Sequence, residues 1–306
     1  FYGCNRYKRK YFRRNIMERK LLPLLRDSNL TLIIGAFDPL SARLVQEAGY
    51  SAVWGSGFCV SARYGLPDAN IIGPDTMIQE YCKMAEAIEI PILADCDTGY
   101  GDFHNVIHTV KRLEFHDVAG FCIEDKKFPK LNSFIKSKNN SLDSIEAFTS
   151  KIKAAVDSRK SEEFCVIART EALNNNEPIE RIVQRLDEYK LAGADAILIH
   201  CNKNTTDELF HLIRLWGNKI PIILVPTTFP HVEFSEFQSY GISNIIVANQ
   251  LLRAGIFHMK SYLNNLSCAK NIEEGSTDIS TLSDVFALQN MQEYETTDTL
   301  YRQPHV

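Results

Sequence analysis

Short, nearly unbroken apolar runs recur between residues 30 and 250: Leu32–Ala36, Ala52–Gly55, Pro91–Asp95, Gly120–Glu124, Cys165–Arg169, Ala196–His200, Ile222–Val225 and Ile245–Ala248. A strand that is apolar on both faces is buried on both, as in a parallel sheet covered by helices. The intervening stretches carry helical spacing. Val106, Val110 and Leu113 fall at i, i+4, i+7, and Ile179, Ile182, Val183 and Leu186 at i, i+3, i+4, i+7. Four runs follow a turn centred on Gly49, Gly120, Gly193 or Gly241, each read as the left-handed glycine that ends a helix. Eight strands alternating with helices over about 220 residues predict a (β/α)8 TIM barrel. An open doubly wound sheet is the alternative, but no G-x-G-x-x-G follows the first strand. Leu282, Val285 and Phe286, at i, i+3, i+4, give the C-terminal segment one apolar stripe. The chain therefore divides into a tail (1–20), a barrel (21–265) and a C-terminal helical extension (266–306).

Composition narrows the class. The 306 residues are 45% hydrophobic and 24% charged, with 15 Gly and 11 Pro, which is ordinary globular composition. No run approaches about 18 consecutive apolar residues, so no transmembrane helix is expected. The eight Cys show no C-x-x-C spacing and do not suggest a zinc site. Cys122 and Cys165 lie inside apolar runs, where a thiol packs as a small hydrophobe. A reducing, cytoplasmic setting is expected.

The net charge of −4 hides two opposed ends. Residues 1–20 hold eight Lys and Arg against Glu18, whereas residues 271–306 hold seven acids against Arg302. The basic end reads as a tail without specific function, with mitochondrial targeting as the alternative. No nucleic-acid or membrane partner is expected from it.

Active sites of such barrels lie at the C-terminal ends of the strands. Polar groups gather there in this sequence: Trp54-Gly55-Ser56-Gly57, Asp95-Cys96-Asp97-Thr98-Gly99, Glu124-Asp125-Lys126, Arg169 with Glu171, His200, Thr227 and Asn249. Asp95 and Asp97 at i, i+2 would point to one side of an extended chain, with Glu124 on the next strand. Three converging acids repel unless a cation neutralises them, and an all-oxygen set suits Mg2+, with Mn2+ as an alternative. The bland readings are that Asp97 caps the following helix or that Glu124 pairs with a Lys. Cys96 should face away from the acids. Residues 125–140 form a cationic stretch containing Lys126, Lys127, Lys130, Lys136 and Lys138, broken by Pro and Asn. It reads as a lid that closes on an anion and excludes water. With Arg169 as a fork, the ligand should be a small phosphorylated or phosphonylated carboxylic acid.

These segments, together with Asp95-x-Asp97-Thr98-Gly99-Tyr100-Gly101, Phe128-Pro129-Lys130-x-Asn132-Ser133 and Ala168-Arg169-x-Glu171-Ala172, resemble the isocitrate lyase/phosphoenolpyruvate mutase superfamily, and the lid resembles its phosphoenolpyruvate phosphomutase branch. The resemblance runs from about Leu30 to Gly255, with Ser283–Arg302 similar to the C-terminal helix of the family. C–C lyases of the superfamily carry a lid Cys that this chain lacks. Phosphonopyruvate hydrolases have Thr where it has Asn132.

The resemblance implies interconversion of phosphoenolpyruvate and 3-phosphonopyruvate, with Asp95 on Mg2+ directly and Asp97, Glu124 and Asp68 reaching it through water. It implies that Trp54, Ser56 and Gly57 hold the pyruvyl part, the last two partly through backbone N–H groups, and that Arg169, His200 and Asn132 bind the phosphoryl oxygens. Lys130, Asn132 and Ser133 come with the lid, and Asp68, Lys130, Asn132, Arg169 and His200 are the candidate catalytic residues. It further implies a homodimer or homotetramer, and a phosphonopyruvate decarboxylase that draws the product onward into phosphonate biosynthesis. The alternatives are a phosphonopyruvate hydrolase, an oxaloacetate hydrolase or C–C lyase, and a non-catalytic binding barrel. Asn174-Asn175-Asn176, Thr228-Phe229-Pro230 and Ile71-Ile72-Gly73-Pro74 depart from the family pattern.

Overall fold

A computed structural model describes residues 20–130, 132–133 and 141–302. The basic residues 1–19, and Leu131, Lys136, Lys138 and Asn140 of the expected lid, lie outside the described residues. Two compact units divide the chain, one through Leu251 and one from Leu252.

The first unit is a closed barrel of eight parallel strands in chain order: β1 Thr31–Ala36, β2 Ala52–Gly55, β3 Ile92–Asp95, β4 Gly120–Glu124, β5 Cys165–Thr170, β6 Ala196–Ile199, β7 Ile222–Leu224 and β8 Asn244–Val247. Their ends differ from those expected by at most one residue. β1 closes the barrel on β8, pairing Thr31 with Asn244 and Ile34 with Val247. Between strands run α1 Leu21–Arg26 (before β1), α2 Pro39–Glu47, α3 Gly57–Arg63, α4 Pro74–Ala87, α5 Phe103–Phe115, α6 Ile145–Ser158, α7 Ile179–Leu191, α8 Asp207–Trp216 and α9 Phe234–Ser239.

The unbroken apolar runs resolve into two cores. Ile33, Trp54, Leu93, Cys122, Ile167, Leu198 and Ile246 fill the barrel interior together with Leu21 and Leu25 of α1. Their strand neighbours Ile34, Val53, Ala94, Ile123, Ala168 and Ile199 pack against the helices. Alternate side chains point to opposite faces of a strand, so both faces of this sheet are dry. α1 also meets the N-terminal edge of β8, where Asn244 Nδ2 donates to Leu25 O at 2.9 Å. The predicted helix positions Val106, Val110, Leu113, Ile182 and Leu186 are all buried.

One local expectation is corrected and one alternative is set aside. Gly49, Gly193 and Gly241 are left-handed as predicted, but at the fourth corner that role falls to Asp117, with φ 58°. Gly120 instead begins β4, and a Cβ there would lie 3.0 Å from Cys165 Cβ and 3.1 Å from Leu21 Cδ2. It is small because the neighbouring strand and the α1 plug are close. The helix after β3 is capped not by Asp97 but by Asp102, which accepts from His104 and Asn105 N–H.

The second unit contains most of α10 Gln250–Cys268, then α11 Ile272–Gly275, α12 Leu282–Leu288 and α13 Met291–Arg302. The expected stripe lies on α12 and is exposed, Leu282 at 74%. Among the described residues no helix is long and apolar enough to cross a membrane.

Candidate active site

The C-terminal mouth of the barrel holds a pocket lined by Trp54, Ser56, Asp68, Asp95, Glu124, Lys130, Asn132, Ser133, Arg169 and His200, with Phe58, Lys126, Thr227 and Asn249 among its further walls. Ten predicted site residues thus meet in one place. Gly57 and Asp97 do not line it but touch residues that do. Gly57 N–H donates to Asp95 Oδ2 at 3.3 Å, and Asp97 lies behind Lys130.

β3 ends at Asp95, and Tyr81 of α4 donates to the Asp95 carbonyl at 2.5 Å. Beyond it the chain is not extended: Asp97, Gly99 and Tyr100 all have positive φ. Asp97 therefore reaches the site by a left-handed turn and not by strand alternation, which corrects the reason given for the Asp-x-Asp spacing. Cys96 faces away into the outer core, as expected. Ser56 N–H is spent on Ala36 O at 3.0 Å, and its Oγ caps α3 by accepting from Cys59 N–H. With Gly57 N–H on Asp95, neither of these two backbone donors points to a ligand, although Ser56 itself lines the pocket.

The lid residues dock directly on the acids. Lys130 Nζ lies 3.1 Å from Asp68 Oδ1 and 2.5 Å from Asp97 Oδ1. Lys130 N–H donates to Asn70 Oδ1 at 2.7 Å, and Asn70 Nδ2 donates to Asp97 Oδ2 at 2.6 Å. Asn132 Nδ2 donates to Asp68 Oδ2 at 2.8 Å. Burial is the strongest influence on Asp97, lifting its carboxyl to about 7 with the help of Asp95 and Asp68 and against Lys130. Burial also works to raise Asp68, but Lys130 and Asn132 hold its carboxyl below the usual range. Burial pulls the Lys130 ammonium down, yet Asp97, Asp68, Asp95 and Glu124 together carry it well above the usual lysine value. Lysine is thus kept charged by the acids it meets.

On the other side, Glu124 pairs with Arg169, whose Nε lies 3.1 Å from Oε2, and more loosely with a Lys, as considered from sequence: Lys126 Nζ lies 3.9 Å from Oε1. Arg169 also donates to Glu171 Oε1 at 2.8 Å, and His200 Nδ1 lies 2.7 Å from the same oxygen. Burial works to raise the Glu171 carboxyl, but His200, Arg169 and Lys126 hold it well below the usual range. Glu171 therefore stays an anion that aims both the guanidinium and the imidazole at the pocket mouth.

The donors fit a hydrated hard cation. Among the described residues no three His, Cys, Asp or Glu side chains form a ready coordination set. Glu124 Oε1 is nevertheless buried without a hydrogen-bond partner, and among the described residues the Asp95 carboxylate accepts the long bond from Gly57 N–H and no shorter one. Two carboxylates facing one pocket suit an ion that keeps much of its own water. Lys126, Asn70, Asn174 and Asn202 were not singled out as site residues. Lys126 sits in the Glu-Asp-Lys run, Asn70 and Asn202 meet partners far away in sequence, and Asn174 bonds to Glu171 nearby and to Asn202 farther on.

The family model described as phosphoenolpyruvate phosphomutase matches residues 21–267. The chain is 34% identical to the phosphoenolpyruvate phosphomutase of Tetrahymena pyriformis, over 92% of this chain and 94% of that protein. It is 33% identical to the phosphonopyruvate hydrolase of Variovorax sp., over 90% and 96%. The crystal structure of phosphoenolpyruvate phosphomutase from Streptomyces platensis subsp. rosaceus superposes with a TM-score of 0.90 at 35% identity, covering 94% of this chain and 99% of that one. A phosphonopyruvate hydrolase in complex with oxalate and Mg2+ superposes at 0.87 and 32% identity, covering 94% and 99%. By sequence and by structure, this chain belongs to the phosphoenolpyruvate phosphomutase family.

Proposed function

We propose that the chain is an isomerase that interconverts phosphoenolpyruvate and 3-phosphonopyruvate, forming the carbon–phosphorus bond of phosphonates. The observation that carries this reading is Asn132, held over the acid cluster by its 2.8 Å bond to Asp68. An amide donor at this position supports binding of a transferring phosphoryl group under a lid that excludes water.

In the reverse direction the carbon–phosphorus bond breaks, its electron pair stays on the pyruvate enolate, and the enolate oxygen takes the phosphorus. No water and no proton is consumed. Arg169, His200 and Asn132 bind the phosphoryl oxygens while the group is loosely bonded to both atoms. Trp54 and Ser56 hold the pyruvyl part, so that carbon and oxygen are presented in turn, while Gly57 acts behind them through its bond to Asp95. Asp95 would hold the metal directly, with Asp97, Glu124 and Asp68 acting through water. A bound divalent cation, Mg2+ or Mn2+, supplies a Lewis acid for the carboxylate and enolate oxygens.

The exposed stripe of Leu282, Val285 and Phe286 supports a homo-oligomer in which α12 packs on a neighbouring subunit. Because making the carbon–phosphorus bond is uphill, a decarboxylase acting on phosphonopyruvate would draw the product away. A phosphonopyruvate hydrolase is the second reading, favoured by the near-equal identity to the Variovorax enzyme and opposed by Asn132. Phosphorus NMR of the chain with phosphonopyruvate and Mg2+ decides between them. Phosphoenolpyruvate appearing supports the isomerase; inorganic phosphate with pyruvate overturns it.

A further inference from the structure

The lid is fastened on two sides. Toward β2 the fastening is Lys130 on Asn70 and Asn132 on Asp68. Toward β5 and β6 it centres on Ser133. Lys126 Nζ donates to Ser133 Oγ at 2.7 Å, and Ser133 Oγ donates to Glu171 Oε2 at 2.9 Å. Asn202 Nδ2 donates to the main-chain carbonyl of Ser133 at 2.9 Å. Asn202 is itself set in place, since its N–H donates to Asn174 Oδ1 at 2.8 Å, and Asn174 Nδ2 donates to Glu171 Oε2 at 2.7 Å. Neither Asn174 nor Asn202 lines the pocket, so neither is placed to bind substrate. The bond from Asn202 grips the lid backbone directly, beside the residue that carries the Asn132 amide.

We propose that Asn202, set by Asn174, is a positioning residue that latches the lid over the pocket and keeps water from the phosphoryl group in transit. This inference rests on the isomerase reading. Isomerisation moves phosphorus from C3 to the enolate oxygen of one bound molecule, with no other reactant. If water enters first, phosphorus takes its hydroxyl, C3 takes its proton, and the products are inorganic phosphate and pyruvate. Both outcomes draw on the same bound phosphonopyruvate, so their ratio reports how well the lid is closed. A change that merely lowers the amount of folded protein scales both products together and leaves the ratio alone.

The test is phosphorus NMR of the full chain with phosphonopyruvate and Mg2+, comparing the wild type with Asn202→Ala and Asn202→Asp. One hydrogen bond to a main-chain carbonyl corresponds to a factor of about ten in the closed population, so the phosphate-to-phosphoenolpyruvate ratio should rise by about that factor in Asn202→Ala. It should rise further in Asn202→Asp, which sets a carboxylate oxygen against the Ser133 carbonyl. If the wild type makes phosphoenolpyruvate and both variants keep its product ratio, the latch is overturned and the isomerase reading stands. A wild type that releases only phosphate overturns the isomerase reading and the latch with it. Loss of the fold in both variants, read by circular dichroism, assigns Asn202 to stability and also overturns the latch.

Discussion

Lys130 and Asp97 form a buried ion pair beside the pocket, 2.5 Å between Nζ and Oδ1, although Lys130 arrives on the lid and Asp97 on the turn after β3. With Asp68 at 3.1 Å on its other side, the ammonium neutralises acids that were read from sequence as waiting for a metal. In the proposed function, lid closure and metal binding would therefore act on the same carboxylates.

Removing that ammonium should separate the two. Lys130→Met is expected to abolish turnover while tightening Mg2+ binding about tenfold, because a cation a few ångströms away opposes the ion's approach. Isothermal titration calorimetry reads the affinity. Weaker binding would mean that Lys130 serves chiefly to position Asp68 and Asp97.

In the proposed function Asn132 serves the phosphoryl group and not the metal. Asn132→Ala should lose about 100-fold in turnover, the usual cost of one donor to a developing charge, and leave Mg2+ affinity nearly unchanged. A large loss of affinity in the same titration would refute the role.

Gly57 tests Asp95 from behind. A Cβ at residue 57 would sit 3.3 Å from Asp95 Oδ2 and 3.5 Å from Met77 Cε, so the carboxylate must move aside. Gly57→Ala should weaken Mg2+ binding about tenfold, as changes behind a metal ligand do. Unaltered affinity would show that Asp95 is not the direct ligand.

Stability toward acid should depend on Glu80, which is buried on α4 between Arg63, Lys83 and Tyr64, with Arg63 Nη2 at 2.6 Å. Burial works to raise its carboxyl, but these partners hold it below the usual value of 4.5. A depressed folded-state value means that the stabilisation is complete above the unfolded value and is lost as pH falls through the folded one. Glu80→Gln should therefore cost about 1–2 kcal/mol at pH 7. The gap to the wild type should close as the pH is lowered past 4.5 and beyond, as read by urea denaturation at each pH. A gap that stays constant with pH would remove the charge from the explanation.

The amino-acid sequence by itself determined the barrel. Runs such as Cys165–Arg169 and Ala196–His200 are apolar at every position but the last, and eight such runs alternating with helical stretches are the pattern of strands with both faces dry. It also placed Asp95, Glu124, Arg169 and His200 at one mouth, because strand ends in such a barrel share a face. What it could not decide is what each group touches. Asp97 enters through a left-handed turn, Lys130 settles on acids from two other loops, and Asn202 reaches across to Ser133, 69 residues away in the chain. Burial periodicity is local and survives in the order of residues. Ion pairs and hydrogen bonds between loops depend on backbone turns and on which strand ends the closed barrel makes neighbours, and only the tertiary structure sets those.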